Sequence, residues 1–271
     1  MKMSIICGVI LVLFAVSETN AERLRDHFGD LYSTFGDNST TEVSIVSGPE
    51  IVEMNRGATP GKQWIAVSGG YQFKLTIEDA VTGVTIGELV SRIEELPEPY
   101  IRACKEVSDD GEQGIALYVD IGGATAHGGK SYINMVSGAG SSVIAHEAGH
   151  TLEQVARESD PTILDQWAAA ILSDNVSVSG YGDQNTWEDL AEFARLYAVC
   201  LGAGSESLAE LDSLSPMRFD QWEAMLYIDN TNNCAYDETE ARTIGDTNYD
   251  CKVDLVDFAA LASNWLTNVS F

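Results

Sequence analysis

The hydrophobic and polar positions along the chain divide it into three unequal parts. The first is an apolar run from Ile5 to Val16, preceded by Met1-Lys2-Met3 and followed by the polar stretch Ser17 to Ala21. That run is too short to span a bilayer, and its basic start, apolar middle and small-residue end are those of a secretory signal, which predicts cleavage after Ala21. Residues 22–41 are polar, end in GDNSTT and read as a flexible lead-in. Alternating β-branched and aromatic residues then predict strands over 42–48 and 63–77, the second with a Gly-Gly break, and over GIALYVDIGG and KSYINMV. Between these last two, Ala126-His127-Gly128-Gly129 reads as a glycine-rich connection.

Helical spacing appears in four places. TIGELVSRIEELPEPYIRACKEV, 85–107, predicts a helix stopped at Pro97 and Pro99 and then a second helix. SSVIAHEAGHTLEQ opens a run without a breaker to about Ser159, with Ser141 or Ser142 as its cap. NTWEDLAEFARLYAVCLG, 185–202, has Asn185 or Thr186 available as cap and Gly202 as a stop, and PMRFDQWEAMLYI, 216–228, closes the main domain. From DNTNNCAYDETEARTIGDTN onward the chain turns polar, which marks residues 231–244 as a linker into a separate module, 245–271.

Composition narrows the partners. The formal net charge is -27 over 271 residues, and a surface of that sign repels nucleic acid and anionic membranes while favouring hard cations. No segment after the leader is long and apolar enough to be a span. Cys7 leaves with the leader; Cys104, Cys200, Cys234 and Cys251 remain, an even count that in an exported chain favours disulfides. Cys234 with Cys251, and Cys104 with Cys200, is the pairing considered.

The chemistry is concentrated in HEAGH. His146 and His150 lie about one turn apart on the predicted helix, so both can reach one ion, and Glu147 follows the first histidine where it can work on a metal-activated water. This is the HExxH pattern of zinc hydrolases. The metzincin continuation is absent, because Glu153 and Ala156 stand where it requires Gly and His. Of the other histidines, His27 lies in the polar lead-in, and His127 suits a loop role or a substrate contact better than ligation. A carboxylate is the better third ligand. Glu188 and Glu192, one turn apart on the 185–202 helix, allow one to bind the ion and the other to support a ligand.

HEAGH together with SGYGDQNTWEDLAEFARL resembles the anthrax lethal factor family and the related Pro-Pro endopeptidases, which are glutamate-type zincins. The resemblance implies that His146, His150 and Glu188 bind zinc, that Glu147 is the general base, that Tyr181 hydrogen-bonds the developing oxyanion, and that Glu192 orients a histidine. Its specific part is confined to the two helices and the tyrosine loop. The small Ala148-Gly149 pair is expected to have no consequence for ligation. The implied architecture is α+β: a zincin-like metallopeptidase domain over 22–230 with a mixed or antiparallel sheet, acting on peptides or proteins outside the cell. Two other readings are kept, a thermolysin-like peptidase of other specificity and a catalytically inactive binding protein on the same fold.

In the last module, Asp246, Asn248, Asp250 and Asp257 fall at the oxygen-ligand positions of a calcium loop, with the carbonyl of Lys252 at the seventh and Asp254 at the ninth. The stretch resembles a single dockerin repeat, which implies calcium binding and attachment to a protein or surface. It departs from that pattern in having Cys251 where a glycine makes the turn, and in being one copy where such repeats usually come as two.

Overall fold

The computed structural model describes residues 23–227. The leader, the linker, the calcium-loop residues Asp246, Asn248, Asp250, Lys252 and Asp257, and the Cys234–Cys251 pairing lie outside the described residues.

A six-stranded mixed sheet forms the frame, in the order β1-β2-β3-β4-β6-β5. Strands β1 (Ser44–Val52), β2 (Gly61–Ser68) and β3 (Tyr71–Glu78) make an antiparallel meander. Gly69 and Gly70, both at positive φ, turn β2 into β3, so the 63–77 run is a hairpin. Helices α2 (Ile86–Glu94) and α3 (Ile101–Asp109) carry the chain back to β4 (Ile115–Tyr118), parallel to β3. A capping box between Thr85 and Glu88 starts α2. The prolines then separate the two helices as the sequence predicts, with a 3-10 turn, Glu98–Tyr100, between them.

Residues Ala126–Gly129, read from the sequence as a connection, form β5, the antiparallel edge strand beside β6 (Tyr132–Val136). Their glycines hide the strand, because nothing at Gly128 or Gly129 marks a pleated surface. The flexible lead-in is also corrected. Helix α1 (Leu24–His27) and a 3-10 turn, Gly29–Thr34, pack on the body with Leu24 and Phe28 buried. Leu24, Phe28, Leu31, Tyr32 and Phe35 recur at helical spacing, a signal that the polar residues between them mask, and Leu31, Tyr32 and Phe35 also pack against the core.

The rest is helical: α4 (Ser141–Ser159), α5 (Ile163–Asp174), α6 (Thr186–Ala203), α7 (Ser205–Leu214) and α8 (Pro216–Leu226). The sequence pattern assigned nothing to α5 and α7, of which α5 fully buries only Trp167 and Ala170 and α7 only Leu211. Gly140 is the N-cap of α4, so Ser141 and Ser142 are already helical, and α6 runs through Gly202 to end at Gly204 (φ 120°). None of the described helices is long and apolar enough to cross a membrane.

Sheet and helices share one core. Leu75 and Ile77 of β3, Ile115 and Leu117 of β4, and Ile133 and Met135 of β6 meet Leu89, Ile93, Val107, Ile144, Leu152 and Phe193. Alternation sends Ala116 and Tyr118 of β4 to the other face, where Met54 and Ile121 cover them. The Cys104–Cys200 pairing is not made: both thiols are free and buried. They fill the core as small apolar side chains, and burial pushes each thiol up to about 12, so neither is a reactive thiolate.

Candidate metal centre

The centre is built where α4 crosses α6. Gly149 makes the crossing close: a Cβ there would lie 2.7 Å from Ala194 Cβ and 3.0 Å from Ala191 Cα. Of the small Ala148-Gly149 pair, from which the sequence predicts no consequence, Gly149 thus lets the α6 backbone that carries Glu188 approach α4 closely. At the start of α6, the Asn185 side chain accepts the Trp187 and Glu188 amides at 3.0 Å each, which fixes the first turn and the residues it carries.

His146, His150 and Glu188 present ligand atoms that all lie within 4.8 Å of one another, a group that can hold a metal ion. Glu188 Oε2 is 3.4 Å from His146 Nε2 and 3.5 Å from His150 Nε2. These separations exceed a charge-assisted hydrogen bond, about 2.7–2.9 Å. They match the edge of a tetrahedron with metal–ligand bonds of about 2.0–2.1 Å, which is roughly 3.3–3.4 Å. Glu188 Oε2 is also buried without a hydrogen-bond partner. A buried carboxylate oxygen without a donor is costly unless a cation meets it, so the residues fit a divalent ion, and two imidazoles with one carboxylate suit zinc.

Glu192 sits one turn along α6, with Oε1 3.0 Å from His146 Nδ1. It is buried and in turn held by Arg25, whose Nη1 donates to Oε2 at 3.2 Å, and by Arg195 at 3.5 Å. The contact keeps a proton on Nδ1 and turns Nε2 toward Glu188. Burial disfavours a charged His146, but the Glu188 and Glu192 carboxylates outweigh it and raise the ring to about 9. The imidazoles of His146 and His150, which face its carboxylate, hold Glu188 down at about 2.

Glu147 points toward β5. A Cβ on Gly128 would lie 2.6 Å from the Glu147 carbonyl oxygen and 2.8 Å from its Oε2, so only glycine lets the edge strand lie this close to the helix. Burial, only partly offset by the charge of His146, raises the Glu147 carboxyl to about 7. Tyr181 begins the 3-10 turn Gly182–Gln184 and is 48% exposed, with its ring centroid 5.8 Å from that of His146. Partial burial and the nearby Glu188 and Glu147 carboxylates raise its hydroxyl, which keeps it a proton donor.

The other histidines stay out of the group. His127 lies on β5 with Nε2 3.3 Å from the Ile121 carbonyl, and His27 pairs with Glu210 at 2.9 Å. Sequence reasoning missed Gly128, Arg25, Arg195 and Trp187. Only Trp187, beside Glu188, and Arg195, one turn beyond Glu192, carried a signal, their position on the ligand-bearing helix. Compared with protein families, curated proteins and solved structures, the chain matches none.

Proposed function

We propose that the protein is an exported zinc-dependent endopeptidase of the glutamate-zincin type. The observation that carries this reading is the convergence of His146, His150 and Glu188 around an unpartnered carboxylate oxygen, with a separate buried carboxylate, Glu147, directly beside them. A mixed sheet with an antiparallel edge strand against the HExxH helix supports the zincin-like architecture.

Zinc held by the three side chains would supply a Lewis acid that acidifies water and polarises a peptide carbonyl. The chain's own groups do the remaining work. Glu147, poised near neutrality, takes a proton from the attacking water and passes it to the leaving amine. Tyr181, protonated and facing solvent beside His146, donates to the oxygen on which charge develops. Glu192 keeps His146 in one tautomer, and Arg25 and Arg195 hold the Glu192 carboxylate in place.

The test is zinc content by elemental mass spectrometry alongside cleavage of a peptide library, for the wild type, E147A and E188A. The expected result is stoichiometric zinc in the wild type and E147A, none in E188A, and cleavage by the wild type alone. Undiminished cleavage by E147A would remove the mechanism. A zinc-free wild type prepared with ample zinc would remove the metal reading and favour a binding protein.

A further inference from the structure

The two histidines of the centre are held by different means. His146 has a carboxylate on its second ring nitrogen, at 3.0 Å. His150 has none: its Nδ1 is buried without a hydrogen-bond partner. Metal-binding histidines almost always use that nitrogen to fix the ring, so His150 needs another constraint.

Trp187 supplies that constraint. Its ring centroid is 4.1 Å from that of His150, with the planes inclined by 42°. The indole is tethered in turn, since Nε1 donates to Glu153 Oε2 at 3.2 Å. Glu153 lies on α4 three residues beyond His150, is wholly buried, and meets Arg157 Nε at 3.0 Å through its other oxygen. A carboxylate that deep is costly to keep. Its contacts are the indole N–H and one guanidinium, so its placement is explained if it anchors the indole.

We propose that Trp187 and Glu153 form a positioning pair for His150, an indole wall in place of a hydrogen bond. The proposal rests on the zinc reading and deepens it. Trp187 also neighbours Glu188 on α6, whereas Glu153 and His150 belong to α4, so the contact ties together the two helices that supply ligands. It divides the histidines by role: His146 is made a stronger donor by Glu192, while His150 is oriented by packing alone.

The experiment measures zinc affinity by competition with a chromogenic chelator for the wild type, W187A, W187F, E153L and the W187F/E153L double variant. Removal of a group supporting a ligand costs about 10–100-fold in metal affinity, and W187A should show a loss of that order. W187F keeps a ring but not the N–H and should lose less. The double variant should bind as W187F does, because both changes break one contact. The cobalt-substituted forms report ligand geometry, and the visible bands of W187A should shift. Thermal unfolding in chelator identifies any variant that has lost the fold, and W187F and E153L carry the test if W187A has. Zinc binding by W187A or W187F equal to wild type, or additive losses in the double variant, would overturn the pair while leaving the metal centre standing. A wild type that binds no zinc would remove both.

Discussion

Replacing Gly128 with alanine tests the link between the edge strand and the proposed general base, Glu147, without touching a proposed metal ligand. The added Cβ would sit 2.6 Å from the Glu147 carbonyl oxygen, 2.8 Å from Glu147 Oε2 and 2.9 Å from its Cα, where ordinary contact begins at 3.4 Å. Two of these atoms are helix backbone, so a rotamer change cannot relieve the overlap. Strand β5 or helix α4 must move by several tenths of an ångström. Forcing a methyl into a packed contact costs about 1–3 kcal/mol, which for a domain of this size lowers Tm by roughly 3–9 °C. Catalysis should suffer more than stability, because a displacement approaching 1 Å at a reacting group costs up to about 100-fold. Peptide cleavage, zinc content and thermal unfolding of G128A should show kcat reduced about tenfold or more, zinc retained and a modest fall in Tm. Wild-type kcat and Tm would refute the reasoning, since the close approach of β5 to Glu147 would then constrain nothing. Loss of zinc would refute it differently, by showing that β5 supports the ligands rather than the base.

R25M removes one of two guanidiniums from Glu192; because Arg25 is partly exposed, unfolding free energy should change by no more than about 1 kcal/mol, while zinc affinity, read by chelator competition, falls several-fold. Glu78 is buried (3% exposed) and accepts the Ala58, Thr59 and Val119 amides; burial alone would raise its carboxyl, but these bonds prevail and hold it below 4.5. Its contribution is therefore present above the unfolded value and lost as pH falls. Denaturant unfolding of E78Q should show a deficit on the order of 2 kcal/mol at neutral pH that narrows as pH drops below about 4.5. Cys104 and Cys200, free and buried, should resist a thiol reagent in the native protein and label fully once unfolded, as peptide mapping would show; a native disulfide between them would contradict the fold.

Part of this was open to reading from the chain alone, and the division follows from the range of the interactions. Helix α4 with its histidines, the break at Pro97 and Pro99, and α6 with Asn185 at its cap depend on neighbours within a turn or two, so residue spacing determines them. The HExxH spacing alone placed both histidines on one face with Glu147 next to them. Tertiary structure alone decided what crosses that helix. The close pass at Gly149 brings Glu188 to the histidines, the glycines of β5 let an edge strand reach Glu147, and Arg25, more than 160 residues from Glu192 in sequence, comes to rest on its carboxylate. The free thiols and the stacking of Trp187 on His150 were settled the same way. Contacts between residues distant in sequence leave no periodic trace, because any one of them depends on how several elements pack at once.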